Sequence, residues 1–140
     1  MKQILYTVIL FLGLIVAPNT SKAQLDSTLN LCKSKMVLPF VTDGQTYTAL
    51  LNGDEVAEFH TTFYGESIYR IVGYSGSSEG NLIFSVYDRE RNLLFTNYDY
   101  ENSAYWDIEF DYSMDCIIEA RLDSKNVTSG FAVLLIGFQQ

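Results

Sequence analysis

A chain of 140 residues has the length of one domain, and 17 acidic against 9 basic residues leave it a net charge of −8. That balance argues against nucleic acid and anionic membrane surfaces as partners, because both need a basic face. One histidine, His60, and two cysteines, Cys32 and Cys116, give little material for a catalytic triad or a His-rich metal site.

The chain opens with Lys2 and an apolar run over residues 4–17, followed by Ser21-Lys22-Ala23, a small-x-small cleavage pattern. Residues 1–23 therefore read as an export signal and residues 24–140 as a single domain starting at Gln24. The apolar run is shorter than the roughly 20 residues a bilayer core requires, so cleavage is expected rather than a membrane span. Gln after a small-x-Ala site resembles exported proteins of Bacteroidota-type Gram-negative bacteria, and the address this implies is secreted or periplasmic. Loss of the segment removes Lys2 and Lys22 but no acid, which deepens the net charge from −8 to −10.

Next, Leu25, Leu29, Cys32 and Met36 recur at helical spacing and predict a short helix over residues 27–37, ended by Pro39. Residues 42–45 read as a turn and residues 47–51 as a short strand. Asn52-Gly53-Asp54 is the strongest local hairpin signal in the chain. Residues 55–64 alternate, with Ala57, Phe59, Thr61 and Phe63 inward and Glu58, His60 and Thr62 outward. Gly65-Glu66 turns the chain into a strand over residues 67–74, and residues 75–80 form a loop of Ser, Gly and Glu.

Strands follow over residues 81–88 and 92–98, joined by the charged tip Arg89-Glu90-Arg91, and residues 99–103 are a polar loop. Residues 104–123 then read as two amphipathic strands joined by a tight connection. Ala104, Trp106, Ile108, Phe110 and Tyr112 share one face of the first, and Met114, Cys116, Ile118, Ala120 and Leu122 share one face of the second. After a turn region over residues 124–130, the final strand, residues 131–138, is apolar on both faces and should be central and covered on each side. The expected fold is all-β: an antiparallel, jelly-roll-like sandwich of about eight strands with a short N-terminal helix.

In an exported chain, two cysteines admit one intramolecular bond. Cys32 lies on the helix stripe and Cys116 on a strand's apolar face, so a disulfide between them is expected. Its closed loop would add about 4 kcal/mol in the chain-entropy model. Two buried free thiols are the alternative.

The run Gly80-Asn81-Leu82-Ile83-Phe84-Ser85-Val86-Tyr87-Asp88, followed by Asn92-Leu93-Leu94-Phe95, resembles pre-peptidase C-terminal and GOLD-like β-sandwich domains. Cys116 to Ala120 and Gly130 to Leu134 look like the closing strands of such domains. The resemblance implies a noncatalytic sandwich and carries no catalytic residue to transfer.

Asp107, Glu109 and Asp111 offer a row of carboxylates, but a glycosidase pair needs two groups held across a cleft in different environments. A row at period two reads instead as a solvated face that discourages edge-to-edge association. Calcium, with about six to eight oxygen ligands, would suit the acidic turns at Asp88, Glu90, Asn92 and at Asp99, Glu101, Asn102. Neither turn matches a spaced calcium loop, and no cofactor is expected. Asn126-Val127-Thr128 fits an N-glycosylation sequon, and Asp26-Ser27-Thr28 resembles the Bacteroidota O-glycosylation motif.

The best binding candidate is the rim of Tyr98, Asp99, Tyr100, Glu101 and Tyr105, where amphipathic aromatics meet carboxylates in a loop region. These readings point to an exported noncatalytic binding module, with carbohydrate as the first candidate ligand. The alternative is a structural or inhibitory protein that recognises a protein surface, for instance through an exposed strand edge.

Overall fold

A computed structural model describes residues 20–140. The apolar run over residues 4–17 lies outside the described residues. Helix α1 (Thr20–Lys35) is followed by eight strands: β1 (Phe40–Asn52), β2 (Val56–Phe63), β3 (Ser67–Ser75), β4 (Leu82–Tyr87), β5 (Leu93–Thr96), β6 (Tyr105–Phe110), β7 (Met114–Leu122) and β8 (Ser129–Gln139). A 3₁₀ turn, Asn97–Tyr100, links β5 to β6.

The strands form two antiparallel sheets, sheet A in the order β1-β8-β3-β6 and sheet B in the order β2-β7-β4-β5. This is jelly-roll topology, as expected. Alternating side chains meet between the sheets, among them Phe63, Ile71, Phe84, Phe110, Ile118 and Leu134. At one corner Phe63 of sheet B stacks on Phe110 of sheet A at 4.4 Å, and Tyr69 packs edge-on against Phe63 at 4.9 Å.

The second faces of β3 and β8 are covered as well. Val72, Tyr74, Val133 and Leu135 point outward from sheet A and pack under α1 with Cys32 and Leu29. Burial on both faces explains why β8 is apolar throughout, and it is indeed an interior strand, between β1 and β3. Gly137 lets the end of the helix settle, since a Cβ there would collide with the Met36 thioether. Arg70 fastens the same end: its guanidinium lies over the rings of Phe40 at 4.3 Å and Tyr105 at 4.5 Å. It also donates to both Asp107 carboxylate oxygens, at 2.7 and 2.9 Å, and to the Lys35 carbonyl at 3.0 Å.

Several local expectations are corrected. The helix, expected over residues 27–37, is described over Thr20–Lys35. Residues 104–123 are not a hairpin: β6 pairs with β3 in sheet A, while β7 pairs with β2 and β4 in sheet B. Asn52-Gly53-Asp54 likewise joins strands of different sheets. The turn expected over residues 42–45 is a bulge inside β1, where register moves from Thr42↔Gly137 to Thr46↔Leu135.

The expected disulfide is absent. Cys32 and Cys116 are both free and buried. Cys32 sits on the outer face of sheet A under the helix, whereas Cys116 faces the space between the sheets from β7. Sheet A stands between them, and sheets stack about 10 Å apart, more than the roughly 7 Å between Cα atoms that a bridge tolerates. The Cys32 thiol donates instead to the Val133 carbonyl at 3.5 Å.

Candidate functional site

The margin where β5 gives way to β6 is built around one buried side chain. Asn97 is fully buried, its Oδ1 accepts from the Phe84 amide at 2.9 Å, and its Nδ2 donates to the carbonyls of Leu82 at 2.9 Å and Ser103 at 3.0 Å. Those bonds nail the 3₁₀ turn to β4. The Thr96 hydroxyl caps the turn by accepting from the Tyr98 amide.

Beyond the turn, Glu101 and Asn102 are both left-handed, with φ of 56° and 53°. Neither is glycine, so the surroundings must impose the conformation. The Asn102 amide donates to the Asn97 carbonyl at 3.0 Å, and its Nδ2 donates to the Gly80 carbonyl at 3.1 Å and to Asp123 at 2.9 Å. The result is a ridge fixed at both ends.

All five rim residues named from the sequence are exposed on this margin, but they do not face one way. The Tyr98 ring turns toward sheet B, with the Arg121 guanidinium 5.9 Å above it. The Tyr100 ring packs 4.2 Å from Trp106 and 5.7 Å from Phe95. Tyr105 turns to the outer face of sheet A and shares Arg70 with Phe40. Asp99 and Glu101 stand free between them. The margin thus carries exposed aromatics interleaved with carboxylates. Sequence reasoning found the exposed members and named Asn102 only as part of an acidic turn, but missed Asn97, whose only signal was Asn at the start of a polar loop.

The other candidates resolve into structural roles. His60 is exposed and lies 3.5 Å from Glu58. Glu58 and Glu119 are bridged by Arg91, at 2.9 and 2.7 Å, across the outer face of sheet B. In the acidic turn at Asp88, the Asn92 side chain and then its amide bond the two carboxylate oxygens, which holds the Asp88 carboxyl below its usual range. Both oxygens are thus occupied by Asn92. Among the described residues, no three His, Cys, Asp or Glu side chains are grouped to hold a metal ion, and no helix is long and apolar enough to cross a membrane.

Comparison with known proteins finds no matching family model and no match among curated proteins, so the pre-peptidase and GOLD resemblance gains no support. Among solved structures the chain is similar to Aeromonas hydrophila PliG, a periplasmic lysozyme inhibitor of g-type lysozyme, with a TM-score of 0.53 at 10% identity over 68% of this chain and 85% of that one. At that identity the likeness is one of fold: a small β-sandwich that, in PliG, serves an inhibitor rather than an enzyme.

Proposed function

We propose that this chain is an exported, noncatalytic protein that binds the surface of another protein in the manner of an inhibitor, and that the ridge of Tyr98, Asp99, Tyr100, Glu101 and Tyr105 makes the contact. The observation that carries the reading is the anchored ridge itself. Exposed tyrosines on a turn held in place before binding offer large contact area with little side-chain ordering still to be done.

Two further points support the reading. The sandwich of PliG is put to inhibitory use. A net charge of −10 after cleavage (7 basic against 17 acidic residues) also favours a cationic partner through long-range attraction. The proposed address is secreted or periplasmic, after cleavage between Ala23 and Gln24.

The test uses the protein from Gln24 onward against g-type lysozyme and a panel of other cationic exported hydrolases, reading cell-wall lysis and complex formation by light scattering. We expect a stoichiometric complex with one member of the panel, weakened at least about tenfold by Tyr98→Ala with Tyr100→Ala. Binding to a glycan array with no protein complex formed would replace this reading with the carbohydrate one. A complex that ignored the double substitution would move the site off the ridge.

A further inference from the structure

The four sheet edges are not alike. β6 carries Asp107 and Glu109, β2 carries Glu58 and His60, and β5 is only four residues long. Such charges and short strands are the usual protection against edge-to-edge pairing. The fourth edge, β1, has no charge and no proline from Thr46 to Asn52, and its bulge protects only the residues before Thr46.

Among the described residues the backbone of that edge is open. The Gly53 amide donates inward to the Thr128 carbonyl at 2.8 Å, while the neighbouring Asn52 amide turns the other way, to the Glu55 carboxylate at 3.1 Å. In an antiparallel ladder the direction alternates, so Tyr47, Ala49 and Leu51 bond to β8. Thr46, Thr48 and Leu50 then aim their N–H and C=O groups away from the sheet. Their side chains share the outer face of sheet A, because Tyr47, Ala49 and Leu51 pack inward. Leu50 is 59% exposed there. A few residues away on the same face lies an apolar groove of about 540 Å³, lined by Leu29, Met36, Leu38, Phe40, Thr46 and Leu135.

We propose that β1 pairs antiparallel with β1 of a second copy of this chain, on a two-fold axis through Thr48. That register places Thr46 opposite Leu50 of the partner subunit, each such pair exchanging both N–H···O bonds at a Cα separation of about 5.5 Å. Leu50 of the partner subunit then stands beside Thr46, at the mouth of the groove, and the symmetry repeats the contact on the other side. Knob and groove belong to one surface, as a closed two-fold interface requires. Charge is compatible with the same edge, because Thr46 to Leu50 carry no carboxylate and Glu55 reaches only the Asn52 amide at the end of the ladder. Salt should strengthen the dimer by screening what repulsion remains.

Sedimentation equilibrium of the purified protein tests this, alongside Thr48→Pro, Leu50→Glu and Thr48→Cys. We expect a dimer whose dissociation constant falls as salt is added. Thr48→Pro removes an amide that has no partner among the described residues, so circular dichroism and melting should hold while the dimer is lost. Leu50→Glu should also yield monomer, and Thr48→Cys should give a reducible covalent dimer because the introduced thiols meet at the axis. A wild-type chain that stays monomeric at high micromolar concentration overturns the proposal. So does a dimer that survives Leu50→Glu, or Thr48→Pro with the fold intact.

Discussion

Cys32 and Cys116 show how strongly burial acts on a titratable group. Burial pushes the Cys32 thiol up to about 12 against opposing backbone hydrogen bonds, and burial together with the charges of Asp88 and Asp115 pushes the Cys116 thiol up to about 11, both from 9.0. Tyr74, on the same outer face of sheet A as Cys32, is raised from 10.0 to about 12, first by burial and then by its hydrogen bond to Glu79. All three are raised in the folded state, so the unfolded chain loses these protons first as pH rises. The stability they contribute is complete below the unfolded values of 9.0 and 10.0 and is lost on approach to 12. Chemical denaturation should therefore give a level free energy between about pH 6 and 8.5 and a steep decline above it. The native protein should be nearly silent to a thiol reagent at neutral pH, and two thiols should react once it is denatured without reductant. A native protein that reacted quickly would show that the burial is not maintained in solution. The sequence placed both sulfurs on apolar faces correctly. It could not show that those faces belong to opposite sides of one sheet.

At the scale of elements, period-two alternation marked the strands, because each has one face that must be dry. Pairing was not legible. Asn52-Gly53-Asp54 and residues 111–113 have the chemistry of tight turns, yet each crosses between the sheets, while Arg89-Glu90-Arg91 joins the two paired strands β4 and β5. A turn fixes local chain reversal, and the partner is chosen by faces far away in sequence. The ridge was half legible for the same reason: exposed Tyr and Asp residues are visible in a list, but the anchor is not. Asn97 closes three hydrogen bonds that no neighbour in sequence announces. Asn97→Ala leaves the Phe84 amide without its acceptor and two carbonyls without a donor, and should cost about 3 kcal/mol in chemical denaturation. Partner affinity should fall further than Tyr98→Ala alone would lower it, because the 3₁₀ turn is released from β4. Unchanged stability would mean that water replaces the side chain and that the ridge is held from elsewhere.

On the scale of the molecule, the jelly roll separates its surfaces by use. Helix α1 seals one face of sheet A, the Arg91 bridge to Glu58 and Glu119 lies across sheet B, and the exposed tyrosines with Asp99 and Glu101 crown the margin between β5 and β6. In the proposed complex, charge and shape would act on different steps of partner binding. The net charge of −10 after cleavage acts at long range, beyond the contact itself, and governs how often a cationic partner arrives. The packed tyrosines act only after docking and govern how long it stays. Asp99→Asn with Glu101→Gln should therefore slow association by about three- to tenfold at low ionic strength, with little change in dissociation. Tyr98→Ala with Tyr100→Ala should do the reverse. Raising salt toward 0.5 M, where the screening length is about 4 Å, should erase the first difference and leave the second. Surface plasmon resonance with the inhibited hydrolase from the panel reads both rates directly. An association rate indifferent to salt and to the two carboxylates would show that the acidic character of the chain serves solubility alone, and that recognition rests on apolar contact.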